Sequence, residues 1–254
     1  MREKREYLIK YLLDEMNIKN PIPSGGDEQR ALLRGLMNIR NPAPISDEFL
    51  TVQDEYLRER AREKGIADVS SIPCISGRMA LWRGDITRLN AGAIVNACNS
   101  GLTGCYRPNH SCIDNAIHTF AGVQLRLKCA ELTHGVPEPT GTARITPAYN
   151  LPSEYVLHTV GPICSGAVTD RERYELASCY RSCMRTAAEN GVKTIAFCCI
   201  STGVFGFPQA EASKIAVQTV EAELSHLTEI EKVIFDVFSE TDEELYLGNL
   251  KRRQ

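Results

Sequence analysis

Along the first seventy positions, apolar residues recur at the three- and four-residue spacing of helices that bury one face. From Tyr7 to Met16 the stripe is Leu8, Ile9, Leu12, Leu13 and Met16, with Glu, Lys and Asp on the other face, and Asn20-Pro21-Ile22-Pro23-Ser24-Gly25-Gly26 breaks it. Asp27 is placed to cap a second helix to about Asn38, carrying Leu32, Leu33, Leu36 and Met37 inward, and Asn41-Pro42-Ala43-Pro44 closes that helix. A third is predicted over Asp47 to Lys64 around Phe49, Val52, Tyr56 and Leu57. Three short helices cannot enclose a core alone. Residues 1–70 are therefore expected to form a helical extension packed on the domain that follows, either as a structural cap or, through the turn at Ser24-Gly25-Gly26, as a border of its ligand cleft.

From Ile72 onward short apolar runs alternate with polar turns and helical stretches, the pattern of an α/β domain over residues 71–254. Met79-Ala80-Leu81-Trp82 reads as a strand leading into Arg83-Gly84-Asp85-Ile86-Thr87. An aspartate just past a strand end either accepts a hydrogen bond from an exocyclic amine such as adenine's or caps the next turn. Ala93-Ile94-Val95 is the next strand. It breaks at Asn96-Ala97-Cys98-Asn99 into a loop at the sheet edge where α/β proteins keep ligands. A single helix is predicted over Asp114 to Lys128, with Asp114 at its positive end and His118 packed inside. Gly141 to Pro147 and Tyr155 to Pro162 read as strands, with His158 buried in the second. A helix follows over Arg173 to Asn190 and ends at Gly191.

Thr194 to Ile200 is the clearest buried strand, followed by Ser201-Thr202-Gly203-Val204-Phe205-Gly206-Phe207-Pro208 and a helix of about sixteen residues. Strand, glycine loop and helix start make an anion cradle in which backbone amides, the helix dipole and the Ser201 and Thr202 hydroxyls meet a phosphate. Phe205 and Phe207 pack either against a sugar or base or into the core. Lys232 to Phe238 is the last strand, with a short helix through Glu243 to Leu250.

Between the Ala93 strand and the Asp114 helix lie Cys105, His110 and Cys112, spaced C-x4-H-x-C, with Gly104 and Pro108 to bend the chain. Two thiolates and an imidazole suit Zn²⁺, and three ligands leave a fourth position open for water or substrate. Asp114, Cys98 or His118 would complete four, and the alternative is a chance grouping in a chain with 10 cysteines. Those cysteines show no fixed repeat, and a chain of 254 residues needs no disulfide staples, so reduced thiols are expected.

A formal net charge of −3 provides no basic field for a phosphate backbone, and Lys251-Arg252-Arg253 is most simply a solvated tail, so nucleic acid is excluded as principal partner. The charged N-terminus holds no signal peptide or membrane span, and the expectation is a cytoplasmic monomer. In residues 1–70, 12 basic and 13 acidic residues nearly cancel, leaving that segment no charged face for a partner.

Four ordered motifs, Trp82-Arg83-Gly84-Asp85-Ile86-Thr87, Ala93-Ile94-Val95-Asn96-Ala97-Cys98-Asn99, Ile113-Asp114-Asn115-Ala116-Ile117-His118 and Ser201 to Pro208, resemble the macrodomain family over roughly residues 72 to 247. The resemblance implies a three-layer α/β/α fold with a mixed sheet and ADP-ribose in a cleft at the strand ends. Where many macrodomains carry a glycine run, this chain has Cys105-Tyr106-Arg107-Pro108-Asn109-His110-Ser111-Cys112, and with the helical extension it looks like the zinc-dependent microbial branch. By that similarity Asp85 contacts adenine with help from the amides around Ile86. Ser201, Thr202, Gly203, Val204, Phe205, Gly206 and Phe207 hold the diphosphate and flank the distal ribose. Asn99 and Asp114 line that ribose as the catalytic pair, and Cys105, His110 and Cys112 hold Zn²⁺ beside it. The implied activity is hydrolysis of mono-ADP-ribose from modified proteins, with acidic side chains the favoured acceptors because an ester is easier to cleave than an arginine N-glycoside. A reader module without turnover, an O-acetyl-ADP-ribose deacetylase and a purely structural zinc site are the alternatives.

Overall fold

The apolar runs assemble into one mixed sheet in the order β1-β2-β7-β6-β3-β5-β4, seen in a computed structural model that describes residues 1–252. Its strands are β1 (Cys74–Ser76), β2 (Met79–Arg83), β3 (Ala93–Ala97), β4 (Ala143–Pro147), β5 (Tyr155–Thr159), β6 (Thr194–Phe197) and β7 (Lys232–Val237). The five inner strands run parallel, while β1 and β4 pair antiparallel at the two edges. Parallel strands covered on both faces need apolar residues at every position rather than at alternate ones. Nearly all of β3, β6 and β7 is accordingly buried.

The connections decide where the helices lie. From β3 the chain moves toward β5 and β4 through α4 (Ile113–Ala121) and α5 (Val123–Thr133). From β5 it returns through α6 (Asp170–Glu189) to β6 and through α7 (Gln209–Leu224) to β7, and α8 (Glu240–Lys251) follows. Right-handed crossovers running in opposite directions put α4 and α5 on one face and α6 and α7 on the other. The chain leaves β3 one way and β6 the other, so the boundary between these neighbours is the switch point of the sheet.

The helix predicted over Asp114 to Lys128 is two helices. Gly122 separates them at φ +102°, and a Cβ there would meet the Gln53 Nε2 at 2.7 Å and the Asn150 Nδ2 at 3.1 Å. The periodicity of apolar residues continues across the break, which is why the pattern hid it. The edge strand β1 was also invisible, being three residues long with Cys74 exposed. Arg253 of the basic tail lies outside the described residues, among which no helix is long and apolar enough to cross a membrane.

The extension consists of α1 (Arg2–Glu15), α2 (Gly26–Ile39) and α3 (Asp47–Lys64). Contrary to the expectation that these helices lack a core, they surround one of their own: Leu8, Ile9, Leu12, Leu33, Leu36 and Phe49 are among its members, and Val123 of α5 is the α/β body's contribution. The seam with that body is polar instead. Asn38 donates to Thr119 Oγ1 at 3.0 Å, Arg126 Nη1 donates to the carbonyls of Asn38 and Arg40, and Gln53 joins Gln124 at 2.7 Å.

Candidate active site

Because the inner strands are parallel, the loops after β2, β3 and β6 leave the same edge of the sheet, and those after β3 and β6 flank the switch point. The loop after β2 carries Asp85. Its Oδ1 accepts from the Thr87 amide at 3.0 Å and from Thr87 Oγ1 at 2.5 Å, capping the turn that starts at Ile86, while Oδ2 pairs with Lys64 Nζ of α3 at 2.6 Å. Burial pushes this carboxyl up, but Lys64 and Thr87 outweigh it and hold the group below its ordinary value. Of the two roles open to Asp85, the cap is present, and the charge also ties the extension to the cleft.

One candidate beside it was missed in the sequence. Phe238 follows the end of β7 and is 85% exposed, and the Gly84 amide donates to the Val237 carbonyl at 3.0 Å, which brings its loop against that of Asp85. A large aromatic held open at the ligand edge is a stacking face. The signal available beforehand was an apolar run that outlasts the strand by one residue.

The loop after β6 has the geometry of an anion cradle. Ser201 sits at φ +65°, in the left-handed region that a residue with a Cβ rarely adopts. Its Oγ is buried without a protein partner. Such strain and such an orphan hydroxyl concentrate at ligand sites. Within the loop, the amides of Thr202, Gly206 and Phe207 bond to Cys199, Gly203 and Ser201 carbonyls. Among the described residues, the amides of Gly203, Val204 and Phe205 take no backbone acceptor, and their loop leads into the N-terminus of α7. Phe205 is half-buried, whereas Phe207 is 1% exposed and belongs to the main core, the second of the two roles open to it.

The loop after β3 brings Cys105, His110 and Cys112 together, with their ligand atoms all within 4.8 Å of one another. Cys105 Sγ stands 3.5 Å from His110 Nδ1. Two ligands roughly 2.0–2.3 Å from a tetrahedral ion stand roughly 3.5 Å apart, so the trio fits Zn²⁺ in distance and in donor type. Burial pushes the Cys112 thiol up to about 11, although the Asn115 amide donates to its sulfur at 3.4 Å. A divalent cation would reverse that, since a ligating thiol is deprotonated. Cys98, Asp114 and His118 are not in this group. The Cys98 thiol instead donates to the Thr159 carbonyl at 3.3 Å.

Helix α2 holds the loop in shape. Arg34 Nη2 donates to the His110 carbonyl at 3.0 Å, and its Nε and Nη2 both reach Asn115 Oδ1. The Asn109 amide, at φ +56°, donates to Asn38 Oδ1, and Asn115 Nδ2 donates to the Arg107 carbonyl. Gly104, at φ +84°, lies so close to the His118 ring that a Cβ would stand 2.8 Å from it. Exposed Asn99 braces the start of the same loop, its Nδ2 reaching the Gly104 carbonyl at 3.1 Å and its Oδ1 the Gly101 amide at 3.0 Å.

Asp114 lies beneath this loop rather than on its surface. Its Oδ1 accepts from Asn96 Nδ2 at 2.8 Å, and burial raises its carboxyl to about 6, with Asn96 and Arg126 pulling the other way. His118 Nε2 comes within 3.5 Å of the same oxygen, but burial holds that imidazole neutral, so the contact is not an ion pair. Among the described residues neither ring nitrogen of His118 has a hydrogen-bond partner, and a cavity of about 10 Å³ lies beside His118 and Arg126. Buried Asn96 reaches both Asp114 and His158 and was missed as the strut behind the site. An asparagine inside an apolar strand run was its sequence signal.

Asp236 of β7 is another buried acid, with Oδ1 unpartnered. Burial, then the charge of Asp85, pushes it well above the carboxylate range. The folded chain therefore holds a proton that the unfolded chain releases above about pH 4, and stability falls as pH rises from there toward the folded value. Asp236→Asn is expected to reduce that slope, leaving the part that Asp114 contributes up to about pH 6, and to stabilise the protein at neutral pH by about 1–3 kcal/mol, read from urea unfolding at pH 5 and pH 8. An unchanged slope in the variant would remove Asp236 as a source of it.

The profile of the Macro domain family matches residues 95–216. A protein-ADP-ribose hydrolase of Treponema medium is 56% identical over 257 residues, spanning 96% of this chain and 97% of that protein. One from Staphylococcus aureus (strain MSSA476) is 46% identical over 251 residues, spanning 96% and 94%. Among solved structures, the Trypanosoma brucei macrodomain in complex with ADP-ribose is similar with a TM-score of 0.66 and 29% identity, covering 84% of this chain and 94% of that one. The Oceanobacillus iheyensis macrodomain with ADP gives 0.64 and 35%, covering 71% and 94%.

Proposed function

The chain belongs to the macrodomain family, and from that membership we propose that it is a zinc-dependent hydrolase that binds ADP-ribose and releases mono-ADP-ribose from modified proteins, with acidic side chains as the favoured acceptors. The observation that carries the metal half of this reading is the convergence of two thiols and an imidazole on the loop after β3, across the switch point from the anion cradle after β6. A module that only binds ADP-ribose has no use for such a trio.

In this reading the amides of Gly203, Val204 and Phe205, with the Ser201 hydroxyl, hold the diphosphate, and Thr202 and Phe205 flank it. Phe238 stacks on the adenine while the Asp85 turn, with the amide of Ile86, reads its edge. The distal ribose then lies under the loop after β3, where Asn99 keeps the loop's entry in register. Cys105, His110 and Cys112 hold the ion, and when bound it supplies Lewis acidity and water activation at that end of the ligand. Asp114, with its carboxyl raised to about 6 by burial, is suited to hold or release a proton at its carboxylate oxygen near neutral pH. Asn96 fixes the orientation of that carboxylate.

Phe238→Ala is expected to weaken ADP-ribose binding about tenfold, the equivalent of about 1.4 kcal/mol, by calorimetric titration. Unaltered affinity would move the adenine elsewhere. The activity itself is tested by incubating proteins mono-ADP-ribosylated on acidic or on basic residues with the chain. Release from the acidic class is the expected result. Binding without release would leave a reader module, and turnover confined to a free ADP-ribose ester would leave a metabolite esterase.

A further inference from the structure

Between the extension and the α/β body lies an open pocket of about 280 Å³ whose walls include Arg30 and Arg34 of α2, Tyr56 and Arg60 of α3, Phe120 of α4 and Asn109 of the metal-type loop. None of the residues assigned above to the adenine or the diphosphate lines it. Three arginines line one small space whose other walls are mostly apolar, among them Leu33, Leu57 and Phe120.

The charge balance there is incomplete. Arg30 and Arg60 meet only Asp27 and Glu63, each three residues away on its own helix with side chains 94% and 48% exposed, and such pairs hold little energy in water. Arg34 is half-buried and its hydrogen-bond partners, the His110 carbonyl and Asn115 Oδ1, are neutral. Among the described residues no carboxylate stands within ion-pair distance of it. A partly desolvated guanidinium next to two weakly paired ones is a site for a carboxylate, which Arg recognises in bidentate fashion. Lys64 adds positive charge nearby, lying over the Phe120 ring at 3.6 Å while paired with Asp85.

Position argues which anion. Asn109 lies between Cys105 and Cys112, and Arg34 touches the backbone of His110, so a group in this pocket sits immediately outside the metal-type loop. If the scissile bond is at that loop, the protein part of the substrate leaves the cleft there. We propose that the pocket binds an acidic side chain of the modified protein, with an adjacent apolar residue against its apolar walls, and so selects substrates by the sequence around the ADP-ribosylated position. This rests on the hydrolase reading for its location, though not for its binding chemistry.

The test uses two synthetic ADP-ribosylated peptides, one with Asp and Glu flanking the modified residue and one with Asn and Gln, on the wild-type chain, Arg30→Glu and Arg60→Glu. Affinity is measured by calorimetry and turnover separately. Wild type is expected to bind the acidic peptide roughly tenfold more tightly, and both variants to lose that preference through KM, with kcat on a free ADP-ribose ester and affinity for ADP-ribose unchanged. Arg30, with a side chain 37% exposed, carries the test alone if thermal melting shows that Arg60→Glu unfolds. A preference that survives in the variants, or its absence in wild type, overturns the pocket as substrate-reading. A parallel loss of ADP-ribose affinity assigns it to the nucleotide and overturns the proposal equally. If wild type binds the acidic peptide preferentially but cleaves neither, the hydrolase reading fails while the pocket stands.

Discussion

Cys105→Ala is expected to lower release of ADP-ribose from modified protein at least 100-fold, about 3 kcal/mol of barrier, while leaving affinity for ADP-ribose within a factor of about two. The dissociation follows from the layout. The nucleotide is proposed to be held by the loops after β2, β6 and β7, whereas the Cys105 sulfur groups with His110 and Cys112 on the loop after β3. Cys112→Ala is expected to lose activity to the same extent but to behave worse as a protein. Cys112 is also the N-cap of α4, where its sulfur accepts from the Asn115 amide, and loss of a cap costs about 1 kcal/mol. Comparing thermal melting of the two variants separates the ligand role from the capping role. Equal stability would show that the sulfur does not cap, and retained activity in either would remove the trio from the reaction.

Arg34→Ala is the second large effect, and it is exerted from the extension. This one guanidinium holds the carbonyl of His110 and the side chain of Asn115, whose amide nitrogen in turn holds the Arg107 carbonyl. Removing it releases two anchors of the loop that carries all three proposed ligands, and outer-shell partners of this kind are worth about 10–100-fold in metal affinity. The expected result is zinc affinity lowered by that factor in a chelator competition, with the far-ultraviolet circular dichroism intact. Arg34→Lys restores one donor but not the fork, so only partial rescue is expected. If zinc affinity is untouched, the loop is self-supporting and the extension is only a cap.

This dependence on α2 also explains what could and could not be seen in the chain beforehand. The α/β body was legible because buried parallel strands such as β6 and β7 are continuous apolar runs, and α3 was legible from end to end because Ser46 and Gly65 bound an uninterrupted stripe. The trio was legible as a cluster because its members lie within eight residues of chain. What holds it in place was not. Arg34 and Asn115 are 81 residues apart, and Asn38 and Asn109 71, so no local pattern links them. The near-zero charge of the extension likewise hid that Arg30, Arg34 and Arg60 line one pocket, since a sum over residues carries no direction. Gly122 broke a helix whose periodicity ran on unbroken, because its positive φ is a backbone feature that the spacing of apolar side chains does not report.

Asp114 shows the limit of reading a role from position alone. Its place in the first turn of α4 pointed toward a cleft, yet the carboxylate turns inward to Asn96. Its environment is what makes it chemically interesting, since a buried acid raised to about 6 changes charge where the protein works.

The most direct test of the central claim is to measure bound zinc per chain and release of ADP-ribose from acidic side chains of modified proteins on the same preparations of wild type and Cys105→Ala. The account predicts one zinc and full turnover in the first, and little zinc, little turnover and undiminished ADP-ribose binding in the second. A chain that turns over as fast without zinc as with it would contradict the account.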